Sequence, residues 1–90
     1  MRIARRYVLT GRVQGVGFRY FTVALAEREA VNGWVRNTPD GRVEISAEGD
    51  DGAIERFERG IRQGPTGARV DHVEVELAAP TGRDLGFMIR

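Results

Sequence analysis

In the stretch "RVEISAEG", residues 42–49, the apolar residues Val43, Ile45 and Ala47 alternate with Glu44, Ser46 and Glu48. That period of two marks a strand with one face buried. "RVDHVEVEL", residues 69–77, alternates in the same way, so Val73, Val75 and Leu77 are expected inward and His72, Glu74 and Glu76 outward. "RRYVLTGRV" predicts a first strand, Arg5 to Val13 at its widest, "GWVRN" a second, and "GFMIR" a short strand at the C-terminal end. Two segments switch to helical spacing. Phe18, Phe21, Leu25 and Ala26 share one face of "FRYFTVALAEREA", and Ile54, Phe57 and Ile61 share one face of "DDGAIERFERGIRQG". Asp50 and Asp51 suit the positive end of the second helix, and Gly64-Pro65 ends it. "TPDG" supplies the turn that makes the second and third strands a hairpin.

The order is βαββαβ plus a terminal strand. It predicts an α+β fold of the ferredoxin-like kind, an antiparallel sheet with two helices on one face and a short C-terminal strand. No repeat or linker interrupts the chain, so residues 1–90 are expected to form a single domain. Such a fold hosts many unrelated activities and does not name one.

Composition narrows the chemistry. All 14 basic residues are Arg, which removes a lysine Schiff base, a P-loop lysine and an amine nucleophile. There is no Cys, and the one His is His72, so no cluster of these residues is available for a metal. No cofactor and no metal are expected. A net charge of +1 gives no reason to expect a nucleic acid or an acidic membrane as partner. No apolar run approaches a membrane span, and the N-terminus lacks the apolar core of a signal peptide. We expect a cytoplasmic monomer that acts on a small molecule.

The junction "GRVQGVGFRY", residues 11–20, is where a strand hands over to a helix, yet nothing between Gly11 and Phe18 is a capping Ser, Thr, Asp or Asn. Arg19 adds a positive charge in the first helical turn, where a negative one is favoured. Gly15 and Gly17 can turn backbone N–H groups inward, and successive inward N–H groups form an anion-binding nest. A helix N-terminus adds unpaired donors, and a guanidinium fork matches two phosphate oxygens. An anion, with phosphate the first choice, would explain both the missing cap and the misplaced charge. The plainer alternative is a tight turn with Arg19 in solvent. The familiar phosphate loops do not fit. There is no Lys for a Walker loop, and the dinucleotide pattern fails at Tyr20, where a Gly is required. "QGVGFRYF" matches an RNA-recognition strand at Gly15, Gly17, Phe18 and Phe21, but Val16 and Gln14 stand where a stacking aromatic and a basic residue belong.

"GRVQGVGFR" and "GWVRNTPDGRVE" together resemble the acylphosphatase family, and the similarity runs from Tyr7 through "GPTGARV" to the final "FMIR". The resemblance implies the fold predicted above and hydrolysis of acyl phosphates, carboxyl-phosphate mixed anhydrides, without metal or cofactor. It implies that Arg19 binds the substrate phosphate together with the amides of Gln14, Gly15, Val16, Gly17, Phe18 and Arg19. It further implies that Asn37 positions the attacking water. Thr38 is a candidate to help hold that water. The family commonly ends its first helix with an apolar residue and Gly; Glu29 and Ala30 stand there instead, which suggests a cap displaced to Asn32-Gly33. His72, Asp50 and Asp51 are expected to be structural. Two other readings remain: a non-catalytic binding module for RNA or a small anion, and a carbamoyl-phosphate-handling domain of a larger maturation enzyme.

Overall fold

The alternation of residues 42–49 becomes the middle of a sheet. The computed structural model describes residues 1–90, with Val43, Ile45 and Ala47 buried and Glu44 and Ser46 half-buried on the opposite face. The elements are β1 (Arg2–Arg12), α1 (Phe18–Glu29), β2 (Asn32–Asn37), β3 (Val43–Asp50), α2 (Asp51–Gln63), β4 (Arg69–Ala78) and β5 (Phe87–Ile89). The sheet order is β4-β1-β3-β2-β5. The first four strands pair antiparallel, with Ile45 of β3 facing Tyr7 of β1 on one side and Val35 of β2 on the other. The short β5 adds a parallel pairing to β2, so the sheet is mixed at that edge. Helix α1 packs over β2 and β5, and α2 over β1, β3 and β4. This is the ferredoxin-like α+β arrangement.

The core is a continuous cluster between helices and sheet. Tyr7, Leu9 and Val13 meet Phe18, Leu25, Ile54, Phe57 and Ile61, and the Tyr7 and Phe57 rings lie 6.3 Å apart. Thr22 is also buried on the inner face of α1. It satisfies its hydroxyl by donating to the Phe18 carbonyl at 2.8 Å, four residues back along the helix.

Three expectations need correction. Strand β1 starts at Arg2 because Arg2 to Ala4 pair with Glu48 to Asp50. On β4, Leu77 is 77% exposed and Val75 41% exposed, although both were expected inward. This is an edge strand, and a bulge between Thr10 and Gly11 leaves Asp71 unmatched. The shift turns both Val70 and Val73 toward the core, and the helices do not cover the far end of the strand. The cap of α1 is not displaced to Asn32-Gly33. Ala30 itself takes the left-handed conformation (φ 57, ψ 44), and Val31 donates to the Ala26 carbonyl at 2.8 Å. Glu29 reaches across to Arg56 of α2 at 2.7 Å, so an ion pair ties the end of α1 to α2.

Glu48 also departs from its alternation pattern. It lies on the open face with Ser46 but is buried, because the chain between β4 and β5 folds over it. Its carboxylate accepts from Arg2 Nε (2.6 Å), the Thr81 hydroxyl (2.9 Å) and the backbone N–H groups of Thr81 (2.8 Å) and Gly82 (2.7 Å). Burial pushes the Glu48 carboxyl up, but the four donors outweigh it and hold the group down at about 2. No helix is long and apolar enough to cross a membrane.

Candidate active site

Strand β1 ends at Arg12, and the buried Val13 anchors the chain before it turns into α1. Gly15 (φ 74) and Gly17 (φ 77) lie in the left-handed region and Val16 does not, so successive residues alternate in hand. That alternation makes consecutive N–H groups converge into a nest. A Cβ at either glycine would meet no protein atom within 4 Å, so it is the backbone angle, not crowding, that favours glycine there.

Gly17 occupies the cap position of α1 with no side-chain cap, and the first turn holds no acidic residue. None of the N–H groups from Gly15 to Tyr20 finds a hydrogen-bond acceptor in the protein; the first that does is Phe21, to the Gly17 carbonyl at 3.0 Å. Six donors are therefore left unpaired in the loop and first turn, beside the positive end of a helix dipole. Arg19 adds a guanidinium with no ion pair, whereas Arg2, Arg5, Arg36, Arg42 and Arg56 each hold a carboxylate. The C-terminal carboxylate of Arg90 makes no ion pair with Arg19. The Arg90 side chain instead stacks over Trp34, with its guanidinium carbon 4.5 Å from the ring centre.

Asn37 comes to this place from the end of β2. Its Oδ1 is buried and has no hydrogen-bond partner. Gly15, Gly17, Arg19, Tyr20 and Asn37, floored by Val13 and Phe18, enclose a cavity of about 150 Å³. A larger cavity of about 330 Å³ lies under the segment between β4 and β5, beside Trp34 and Met88, and contains none of these groups. The smaller one is where the unpaired chemistry gathers.

The two halves are fastened by a contact that sequence reasoning missed. Gln14 uses both hydrogens of its side-chain amide, donating to the carbonyls of Thr38 and Arg42 at 2.9 Å each. The loop is thus held to the β2–β3 turn just after Asn37. Thr38 works inside that turn. Its hydroxyl donates to Asp40 and lies 3.1 Å from the Arg42 carbonyl, and it accepts from the Arg42 N–H at 3.0 Å. Thr38 does not line the cavity. Asp40 is held down at about 2, first by Arg42 and then by the Thr38 hydroxyl. Glu44 lies on the other face of the sheet, between Arg6 (3.1 Å) and Arg36 (2.6 Å). His72 is exposed on β4, and Asp50 and Asp51 sit at the start of α2 beside the N-terminal ammonium. None of these four lines the cavity. Tyr20 does, and the sequence offered one clue to it: it stands beside Arg19 but off the Phe18–Phe21 stripe.

A ferredoxin-like sandwich with a glycine nest, a free guanidinium and a buried amide around one small cavity defines an α+β protein with a candidate anion site. Comparison with known proteins narrows the class. The acylphosphatase family profile matches residues 5–89. The chain is 51% identical over 90 residues to an acylphosphatase of Anaeromyxobacter dehalogenans, covering 99% of this chain and 96% of that one. It superposes on a crystal structure of acylphosphatase from Bacillus subtilis with a TM-score of 0.93 at 38% identity, over 98% of each chain. It also superposes on the phosphate- and nucleotide-bound form of HypF, with a TM-score of 0.90 at 32% identity, covering 100% of this chain and 12% of that one. The chain belongs to the acylphosphatase family, a family of acyl phosphate hydrolases.

Proposed function

We propose that residues 1–90 form one catalytic unit that hydrolyses acyl phosphates to a carboxylate and inorganic phosphate. Arg19 and the amides from Gln14 to Arg19 hold the phosphate, and Asn37 orients the attacking water. The observation that carries this reading is the convergence of unpaired groups on one 150 Å³ cavity: the loop N–H donors, the Arg19 guanidinium and the Asn37 amide.

The chemistry asks little of the protein. The leaving group is a carboxylate, whose acid has a pKa of about 4 by analogy with Asp and Glu, so it departs without a general acid. Charge in the transition state spreads over the equatorial phosphoryl oxygens, where fixed N–H donors and a guanidinium meet it without reorganising. An amide accepts one hydrogen bond through oxygen and donates through nitrogen; it can orient water but cannot take a proton from it. Asp40, held at about 2 by Arg42 and Thr38, is a poor base near neutrality. The proton from water therefore goes to the phosphate. Thr38 contributes by fixing the turn that carries Asn37. The unit needs neither metal nor cofactor.

The test is hydrolysis of an acyl phosphate by purified protein in excess chelator. Turnover should persist and be slowed competitively by inorganic phosphate. It should nearly vanish in Arg19→Ala and be impaired in Arg19→Lys, because an ammonium cannot make the forked contact. Loss of activity on chelation, or an Arg19→Ala variant with normal turnover, would refute the assignment.

A further inference from the structure

We propose that Tyr20 forms the outer wall of an acyl-group subsite and biases the enzyme toward acyl phosphates with a flat, apolar acyl group, aromatic ones above all. The inference rests on the proposed reaction and adds to it which substrates the site prefers.

The polar lining gives the first step. Arg19, Asn37 and the loop amides around the cavity are taken up by the phosphate and the attacking water, so the acyl group is left to the rest of the lining. Attack in line with the departing oxygen gives the second step. Water held at Asn37 lies on one side of phosphorus, so the acyl oxygen leaves on the opposite side, away from Asn37, and carries the acyl group over the rim.

Elimination gives the third step. Among the residues around the cavity, Val13 and Phe18 are buried in the core, and Gly15 and Gly17 have no side chain. Arg19 is committed to the phosphate and Asn37 to the water. Tyr20 remains, a large ring that is 71% exposed although it sits in the first turn of a helix whose other aromatics pack together, the Phe18 and Phe21 rings being 5.9 Å apart. The Tyr20 hydroxyl makes no hydrogen bond in the protein and the ring has no aromatic neighbour. An open aromatic face at the rim offers offset or edge contact to another ring and little to a methyl group.

The experiment compares kcat/KM for benzoyl phosphate and acetyl phosphate in the wild type, Tyr20→Ala and Tyr20→Phe. The benzoyl-to-acetyl ratio should fall about five-fold in Tyr20→Ala, the scale of a single aromatic contact, and should be kept in Tyr20→Phe. The change should lie in KM, because the ring touches a part of the substrate that does not react. An unchanged ratio in Tyr20→Ala, or an equal fall for both substrates, overturns the proposal. A second measurement separates this failure from failure of the hydrolytic reading. Thermal shifts with phenylphosphonate and methylphosphonate report the phenyl preference without any turnover. If neither acyl phosphate is hydrolysed but the phenyl preference is present and disappears in Tyr20→Ala, the subsite stands and the reaction falls. If no phenyl preference exists in the wild type, the subsite falls.

Discussion

Replacing Asn37 with Ala separates a working residue from a structural one, because the two roles predict different effects on stability. Asn37 Oδ1 holds no group of the protein. Truncation therefore breaks no hydrogen bond within the fold and removes only a small amide's packing, about 1 kcal/mol on the scale of a buried methylene. At about 4–8 °C per kcal/mol for a domain of this size, the melting temperature of Asn37→Ala should hold to within about 5 °C. Turnover should change far more. Misplacing a reactant by an ångström can cost about 100-fold, equivalent to about 2.7 kcal/mol of barrier, so kcat should fall by about that factor while inhibition by inorganic phosphate changes little. Fluorescence of Trp34, the one tryptophan, follows unfolding, and initial rates with an acyl phosphate follow catalysis. A fall in melting temperature of more than about 5 °C, roughly 1 kcal/mol, would make Asn37 a structural residue. So would a kcat within threefold of wild type on a stable fold, since the water would then be held by something else.

Other parts of the molecule give sharp outcomes too. Inorganic phosphate at about 100 times its dissociation constant should stabilise the wild type by about 2.7 kcal/mol, and the resulting rise in melting temperature should be absent in Arg19→Ala. Gln14→Ala loses two hydrogen bonds of 2.9 Å and should cost about 2 kcal/mol in urea denaturation; kcat should fall with it, and Gln14→Glu, which cannot donate, should not rescue either. Ala30→Gly should stabilise by about 1 kcal/mol in the same assay, because Ala30 pays for a left-handed conformation that glycine adopts freely. The carboxyl of Glu48 has a folded value of about 2 against an ordinary 4.5, so its stabilising contribution is complete above about 4.5 and lost as pH falls from there toward 2. Acid titration of stability should show that loss, and Glu48→Gln should remove that part of the pH dependence.

Local pattern revealed much of this protein and long-range closure did not. The period of two in residues 42–49 located β3, and the spacing of Phe18, Leu25 and Ala26 located the inner face of α1, because burial on a regular element imposes its own period on the chain. The same logic failed at Leu77. Alternation says which residues share a face but not whether anything covers that face, and an edge strand with a bulge escapes cover. It failed at Glu48 for the converse reason: a polar position became buried because a segment more than 30 residues further along folded over it. At the site, the missing cap and the position of Arg19 were visible because they violate rules of a single helix. The grip of Gln14 on the carbonyls of Thr38 and Arg42 leaves no such local trace. A glutamine beside a glycine violates nothing, and its partners lie 24 and 28 residues away.

The cradle also limits what it can do alone. In the proposed reaction Arg19 and the loop amides meet the same oxygens whether the phosphate is still joined to an acyl group or already free. Binding that is equal in substrate, transition state and product lowers KM without lowering the chemical barrier, and makes the product an inhibitor. The gain in rate must come from what differs between those states. One difference is the charge pushed onto the equatorial oxygens in the transition state, which fixed donors favour over either ground state. The other is the water, which exists as a separate reactant only before attack. On this reading the burden of turnover is shared between the fixed donors, through that charge, and the Asn37 amide, the group for which the folded protein supplies no partner of its own.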